Sequence, residues 1–261
     1  MNALTLLIGV YAESQLRVIG ELLKSDLSGL KVNLEILGTT PRGWVRIAVS
    51  GEDEKTALNC LTSEFGRCPE RLEAIERFAT IKGRITALDA NKTGVSVDVG
   101  VVTPHIVEAT IPLLSLQAQL VDGRKVALKR VVELFGLCEN LPLTIKTVSV
   151  NVTEGSLEAM LAEKQLSQYR NWTRSLLDRL IILGATFNGV KSAVRKAECD
   201  RDVVGIESLG LLEHAIVCKL GTDAAGLIPK IGRHLYRSAF SVFNSERTLE
   251  FLQGGSALLA Q

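Results

Sequence analysis

Four basic side chains near the C-terminal end of the chain have the spacing of one helix face. They stand at positions i, i+3, i+4 and i+7, and they are Lys230, Arg233, His234 and Arg237. No acidic residue interrupts the row, which predicts a helix over 227–237. A row of positive charge can contact the phosphates of a nucleic-acid backbone, or it can be an ordinary solvated surface.

A glycine-rich turn precedes this helix and is a candidate site for a small anion. Gly221, Thr222 and Gly226 would leave backbone N–H groups free at the helix N-terminus, where anions are stabilised. The turn lacks the Lys-Ser/Thr pair that follows the glycines of a P-loop, so nucleotide hydrolysis is not predicted. An enzyme that uses an anion held at this turn remains an alternative.

Other basic residues are candidates for contact with RNA. They are Lys82, Arg84, Arg124, Lys125, Arg170 and Arg174. The last two lie with Tyr169 and Trp172 on a helix predicted over Leu166–Leu183. Aromatic residues among basic ones suit base stacking with backbone contacts, and they equally suit a core or a domain interface.

Candidate catalytic and metal-binding groups are few. His214 and Cys218 share one face of a predicted strand, but a strand so rich in apolar residues is normally buried. The five cysteines show no C-x-x-C spacing, so neither a zinc site nor a disulfide framework is predicted. We therefore expect no catalytic residue, no metal and no cofactor, and a protein that is not an enzyme.

Composition bounds the class of protein. A chain of 261 residues predicts two or three domains. The net charge is only +1, yet residues 164–261 carry 13 basic against 9 acidic residues. The apolar run Ala3–Val10 has no basic segment before it and is expected to be a strand, not a signal peptide. The apolar stretch Leu176–Ala185 contains two charges and is not expected to span a membrane. These patterns predict a cytoplasmic protein.

Residues 1–80 predict an α/β sandwich of the split β-α-β, ferredoxin-like kind. The apolar periodicity alternates between strand and helix spacing in the order β-α-β-β-α. RNA-recognition modules share this order, but their aromatic strand signature is missing. A short charged helix over Pro69–Phe78 is expected to lead into the next domain.

Residues 81–163 predict a five-stranded β-barrel. Its expected strands are Lys82–Leu88, Gly94–Gly100, Ile111–Leu116, Leu143–Val150 and Ser156–Met160. A turn is expected at Asp89–Thr93 and a helix over Val126–Phe135. The Val-Asp-Val-Gly of the second strand and the Ile-Pro-Leu of the third resemble the S1 type of OB-fold, which implies binding of single-stranded RNA. Such barrels use aromatic residues on these strands, yet none occurs from Ile81 to Thr103.

Residues 164–261 predict an α/β domain in the order α-α-β-β-α-β, with a K-homology fold as one alternative. The Gly-x-x-Gly loop of that fold is absent. The segment Gly254–Gln261 is expected to be frayed. No internal repeat is evident in the sequence. The complete chain is therefore predicted to be a multidomain α+β protein.

Over nearly its whole length the chain resembles an archaeal domain-of-unknown-function family. Three stretches carry this resemblance: Ile111–Phe135, Tyr169–Ala185 and Leu209–Gly232. It implies an archaeal, cytoplasmic source and lends no activity, cofactor or site.

These observations together predict a non-enzymatic protein that binds RNA or belongs to a ribonucleoprotein. Its RNA would be single-stranded or ribosomal, and a role in translation or an association with the ribosome or RNA polymerase is expected. The principal alternative is a protein–protein adaptor on those machines that makes no direct contact with RNA.

Overall fold

The computed structural model describes residues 2–88, 94–103 and 105–254, and it confirms a multidomain α+β architecture. The predicted turn at Asp89–Thr93 and most of the segment Gly254–Gln261 lie outside these residues. The N-terminal module has the predicted order β-α-β-β-α. Its elements are β1 (Asn2–Gly9), α1 (Gln15–Asp26), β2 (Val32–Thr39), β3 (Trp44–Gly51) and α2 (Glu54–Phe65).

The sheet of the N-terminal module is antiparallel, with the strand order β1-β3-β2. Apolar residues of the strands pack on one side against α1 and α2, as the alternating pattern requires. At the other edge of β1, the Leu7 N–H donates to the Gly66 carbonyl and the Cys68 N–H donates to the Thr5 carbonyl. This short bridge lies where a split β-α-β fold has its fourth strand.

The central module is a closed barrel of five strands joined by two helices. Its elements are β4 (Glu70–Arg71), β5 (Thr80–Ala87), β6 (Gly94–Thr103), β7 (Val107–Pro112), α3 (Leu113–Leu120), α4 (Leu128–Phe135), β8 (Pro142–Asn151) and β9 (Ser156–Leu161). The barrel closes in the order β6-β5-β8-β9-β7 and back to β6, and β4 adds to the edge of β6.

Two local predictions in this region are wrong. The expected helix over Pro69–Phe78 is a short strand followed by a 3-10 turn, because Leu72 and Ile75 are drawn into the barrel core and β4 pairs with β6. The third strand ends at Pro112, and the apolar residues after it, including Leu116, belong to the helix α3 that covers the barrel.

The C-terminal module is also a split β-α-β fold, preceded and followed by a helix. Its elements are α5 (Glu163–Ser175), β10 (Arg179–Leu183), α6 (Phe187–Lys196), β11 (Val203–Ser208), β12 (Glu213–Cys218), α7 (Ala224–Gly232), β13 (Ala239–Phe243) and α8 (Ser245–Gly254). The antiparallel sheet has the order β11-β12-β10-β13. From β10 to β13 the element order is β-α-β-β-α-β, the ferredoxin-like order rather than the predicted α-α-β-β-α-β.

The long helix predicted over Leu166–Leu183 is wrong in its second half. It ends at Ser175, and Leu176 has a left-handed backbone (φ 54°) that turns the chain into β10. Residues 179–183 are buried on both faces of the sheet, and a fully buried strand has the same continuous apolar pattern as a buried helix.

The two outer modules contact each other at equivalent positions of their folds. Tyr11 follows β1 and Gly184 follows β10, and the two lie together. Gln15 extends this contact, because its Nε2 donates to the Gly184 carbonyl at 2.8 Å. The ends of the two first strands therefore meet, and Gly9 at the end of β1 also lines a cleft.

Candidate nucleic-acid interface

Alternate residues of β5 present positive charge on the outside of the barrel. Ile85 points into the core while Lys82 and Arg84 point outward, because successive side chains of a strand alternate between its faces. Thr80 pairs with Lys146 on β8, and Lys82 pairs with Thr144. The register therefore places Lys146 on the same outer face as Lys82.

A fourth cation reaches this face from the start of α5. Lys164 lies near Lys82, whose pKa is lowered first by burial and then by the positive charge of Lys164. The Lys82 Nζ donates to the Glu64 carbonyl at 2.6 Å, so a main-chain group from the N-terminal module holds it. Lys82, Arg84, Lys146 and Lys164 are called the basic face below.

The innermost residue of the basic face is Arg84, at the junction of the three modules. Its guanidinium lies 4.4 Å from the centre of the Trp44 ring and donates to the Arg42 carbonyl. A Cβ on Gly9 would lie 2.7 Å from Arg84 Nη1, so a larger residue there would displace the guanidinium from its present position. Arg84 therefore joins the barrel to the N-terminal module.

A buried carboxylic acid completes this junction from the C-terminal module. Glu213 is 6% exposed, and the Tyr11 hydroxyl donates to its Oε1 at 2.6 Å. Burial raises the pKa of Glu213, although the Tyr11 hydrogen bond and the charge of Arg84 oppose the shift. Burial and the nearby Glu213 carboxylate in turn raise the pKa of Tyr11.

The basic face borders a cleft of about 740 Å³ between the three modules. Lys82, Arg84 and Lys164 line it together with the amide side chains of Asn140 and Asn171. Within the described ranges, no residue of the basic face has a carboxylate oxygen within 4 Å. The acidic residues Glu64, Glu207 and Glu213 also line the cleft. Cations without an ion pair and amide groups suit a polyanion with hydrogen-bonding groups, such as a nucleic-acid strand.

The face of β6 and β7, which S1-type barrels use for RNA, is covered in this protein. The Trp44 Nε1 donates to Asp98 Oδ2 at 2.9 Å, and Arg42 pairs with Glu108 at 2.7 Å. Asp98 is fully buried, and this burial raises the pKa of its carboxyl group. The N-terminal module and two acidic side chains therefore occupy the expected binding face, where the sequence also lacks aromatic residues.

The remaining barrel candidates lie elsewhere. Arg124 donates to the carbonyls of Phe251 and Leu252 in α8, so its guanidinium binds the C-terminal helix. Lys125 is exposed beside it. These two residues do not line the cleft.

The basic residues of the predicted helix over 166–183 separate into different environments. Arg170 pairs with Glu163 at 2.6 Å, and Arg174 is exposed. Tyr169 and Trp172 are buried and pack edge to face with their ring centres 5.7 Å apart. The core alternative for these two aromatic residues is therefore the observed one.

The C-terminal basic row is not one helix face. The helix α7 ends at Gly232, and the row continues through a turn in which Arg237 has a φ of 68°. Lys230, Arg233 and Arg237 are exposed and His234 is partly exposed. Tyr236, 86% exposed, lies among them.

This row lies on the far side of the C-terminal sheet from the barrel. The residues of α7 pack on one side of the sheet against Leu180 and Ile216. The other side, through Ile181 and Phe243, packs against α5 and the barrel. The basic face and the C-terminal row are therefore two separate surfaces and not one stripe.

The predicted anion site at Gly221, Thr222 and Gly226 already holds an acidic group of the protein. The Asp223 carboxylate accepts from the Ala225 N–H at 3.0 Å and from the Gly226 N–H at 3.2 Å, which caps α7. The N–H groups that an anion would need are thus partly occupied.

The histidine and cysteine considered for catalysis are both buried in β12, beneath the helices of the C-terminal module. The His214 ring packs edge to face on Phe187 at 5.8 Å, and burial lowers its pKa. Among the residues that the structure describes, no cluster of three or more His, Cys, Asp or Glu could hold a metal ion. Over the same residues, no helix is both long and apolar enough to cross a membrane.

Sequence reasoning missed Lys146 and Lys164. Leu143, Ile145 and Thr147 alternate on the inner face of β8, so the sequence pattern does indicate that Lys146 points outward. Nothing local indicates that Lys164 approaches Lys82, because that contact depends on how α5 packs against the barrel.

Three domain models cover most of the chain. The DUF2110 N-terminal domain matches residues 3–71, the DUF2110 central domain matches residues 76–173, and the DUF2110 C-terminal domain matches residues 177–243. The central match includes α5, which supplies Lys164. No curated protein matches the chain.

Two solved structures show a distant likeness. The uncharacterized protein MJ1198 from Methanocaldococcus jannaschii is 11% identical with a TM-score of 0.24, over 34% of this chain and 95% of that one. A chain of the a/eIF2alpha–aDim2p–rRNA complex from Pyrococcus horikoshii OT3 is 12% identical with a TM-score of 0.26, over 48% of this chain and 64% of that one. TM-scores this low do not establish a shared fold.

Proposed function

The chain belongs to the DUF2110 family, and we propose that it binds single-stranded RNA on the basic face without catalysing a reaction on it. The proposal keeps the predicted class of ligand and moves the site from the β6–β7 face to the β5–β8 face. A cytoplasmic ribonucleoprotein, on the ribosome or in the transcription machinery, is the setting we propose for it.

One observation carries the proposal: the amines of Lys82 and Lys164 line one partly closed cleft, and neither forms an ion pair within 4 Å among the described residues. Burial and the charge of Lys164 disfavour the protonated form of Lys82, and the charge of Glu64 only partly offsets them. A phosphate between the two amines would remove this repulsion and supply the missing negative charge. The hydrogen bond from Lys82 to the Glu64 carbonyl holds one of the two amines in the cleft before a ligand arrives.

The polar groups around the amines favour a nucleic-acid strand over a small anion. The amides of Asn140 and Asn171 line the same cleft and can hydrogen-bond to base edges or riboses. Lys146 extends the charge along β8, beyond the residues that line the cleft. A ligand that contacts all of these groups must be elongated, as an RNA strand is.

The C-terminal row, Lys230 to Arg237, supports a second contact with the RNA backbone. Tyr236 adds an exposed ring to these charges. Because the sheet of the C-terminal module separates this row from the basic face, one short strand does not reach both. We propose that the basic face is the primary site and that the row contacts a separate part of a longer RNA.

Filter binding with a short single-stranded RNA and with a longer structured RNA tests this division. Lys82→Glu should weaken binding of both RNAs, whereas Lys230→Glu with Arg233→Glu should weaken only the longer one. Lys55→Glu, an exposed lysine on α2, is the matched control and should change neither. Absence of RNA binding by the wild-type chain at low salt would overturn the proposal and favour the protein–protein adaptor.

A further inference from the structure

Phe78, at the entrance to β5, is exposed in a backbone conformation that bulky residues rarely adopt. Its side chain is 56% exposed, and its φ is 66°. Glycine or asparagine is the usual residue at such a position. A large apolar side chain is therefore present where neither burial nor backbone geometry requires one.

The turn that carries Phe78 is held firmly by β8. The Phe78 N–H donates to the Thr147 carbonyl at 3.0 Å, and the buried Thr147 hydroxyl donates to the Glu76 carbonyl at 2.7 Å. The Arg77 Nε donates to the Val148 carbonyl at 2.9 Å. The pairing of β8 with β9 shifts register between Thr147 and Ser149, which marks a bulge next to this turn. The ring is thus presented by an ordered backbone.

Two cations lie over the ring in cation–π contact with it. The Arg77 guanidinium lies 4.6 Å from the ring centre, and the Lys146 Nζ lies 5.7 Å from it. No ion pair engages either cation in the part of the chain that the structure describes. An exposed ring with cations beside it is the combination that stacks a nucleobase and binds the neighbouring phosphates.

The position of Phe78 fits the path of the proposed strand. Thr80, Lys82 and Arg84 alternate on the outer face of β5, and Phe78 lies two residues before Thr80. Four fully extended residues span at most about 14 Å, so Phe78 lies within about 14 Å of Lys82 along the chain. Lys146 contacts the ring of Phe78 and pairs with Thr80, so it connects the two. The ring thus stands at the outer end of the basic face.

We propose that Phe78 stacks a base of the single-stranded RNA, with Arg77 and Lys146 on the adjacent phosphates. The proposal rests on the proposed function and names a contact within it. The β6–β7 face has no aromatic residue to stack a base. Phe78, which precedes β5, would provide that contact from a different strand. Backbone strain recurs at ligand contacts, and the left-handed conformation of Phe78 is consistent with this role.

Phe78→Leu tests the proposal, because leucine is apolar and lacks a ring to stack. The probes are a single-stranded oligonucleotide and an abasic oligonucleotide of equal length and charge. The substitution should weaken binding of the first about 5- to 140-fold, equivalent to roughly 1–3 kcal/mol, and leave binding of the second unchanged. The dependence of affinity on salt should also stay the same, since no phosphate contact is removed.

Phe187→Leu, which removes another exposed ring on α6, is the matched control and should leave both affinities unchanged. Thermal unfolding of each variant establishes that it is folded. Equal affinity of Phe78→Leu and the wild type for the first oligonucleotide would overturn the stacking proposal, and so would an equal loss on both probes. Failure of the wild type to bind either probe would instead overturn the proposed function itself.

Discussion

Trp44→Phe should destabilise the junction between the N-terminal module and the barrel, and should do so most at neutral pH. The indole N–H donates to the buried Asp98 carboxylate at 2.9 Å, and phenylalanine has no donor to replace it. Among the described residues, the carboxylate then keeps the hydrogen bond from the Gly100 N–H, which donates to its Oδ1 at 2.8 Å. The Phe ring still offers a face to Arg84, so the substitution removes the hydrogen bond more than the stacking.

The magnitude follows from two contributions. A hydrogen bond to a charged group contributes about 1.5–3 kcal/mol. The smaller ring buries less apolar area, which costs on the order of 1 kcal/mol of stability. The free energy of unfolding should therefore fall by about 2.5–4 kcal/mol, which corresponds to a lower melting temperature by roughly 5–16 °C at about 2–4 °C per kcal/mol.

The loss of stability in Trp44→Phe should depend on pH through the pKa of Asp98. Burial raises the pKa of Asp98 in the folded protein, so this residue favours folding at low pH, and that contribution is lost as the pH rises through its folded-state pKa. Without the indole donor the pKa of Asp98 should rise further. The variant should therefore show its largest deficit at pH 7, and the deficit should shrink as the carboxylate becomes protonated.

Urea unfolding followed by circular dichroism, at pH 7 and at pH 5, measures the deficit. Asp98→Asn supplies the control background, in which Trp44→Phe removes a neutral hydrogen bond of about 0.5–1.5 kcal/mol and the same apolar area, and should therefore cost about 1.5–2.5 kcal/mol. An equal cost in both backgrounds, or a deficit that grows toward low pH, would refute the assignment of this contact as a charge-assisted link between modules.

Three further predictions concern stability. Glu213→Gln should raise the free energy of unfolding at pH 8, because burial raises the pKa of the Glu213 carboxyl and disfavours its charged form. Urea titration should show that this advantage disappears as the pH falls and the wild-type carboxyl is protonated. Phe78→Gly should raise the melting temperature, since it relieves a left-handed conformation that costs about 1–2 kcal/mol. The same substitution should weaken RNA binding. A lower melting temperature would show that the contacts of the ring stabilise the fold. Asp223→Ala should cost about 0.5–2 kcal/mol through loss of the α7 cap, measured by urea unfolding, and an unchanged stability would contradict the capping role.

The elements with a distinct period were predictable from the sequence. The strands β5, β6 and β8 of the barrel alternate cleanly, and α4 carries a helical stripe, so each was found close to its observed position. Residues 176–183 were not predictable in this way. Their nearly continuous apolar run suits a buried strand and a buried helix alike, and only pairing with β12 and β13 decides between them.

The location of the proposed binding site depends on contacts between residues distant in sequence. Whether the β6–β7 face is open depends on Trp44 and Arg42, which are more than 50 residues away along the chain. The approach of Lys164 to Lys82 likewise depends on the packing of α5. The sequence pattern predicts that Lys82 and Arg84 point outward. It does not predict that the N-terminal module covers the β6–β7 face and leaves the β5–β8 face exposed.

The similarity in fold between the N-terminal and C-terminal modules was not predictable from the sequence. Both have a split β-α-β order and meet at equivalent strand ends, although no repeated residues mark the relationship. Different side chains satisfy the same alternation of buried and exposed positions, so the fold is retained without a recognisable repeat.

The salt dependence of RNA affinity tests the central claim most directly. For single strands, the logarithm of the binding constant falls with the logarithm of salt concentration by about 0.7 per phosphate contact. Because both amines contact one phosphate, Lys82→Gln with Lys164→Gln should reduce the slope by about 0.7, while Lys55→Gln leaves it unchanged. An unchanged slope in the double variant would contradict a phosphate site between these two amines.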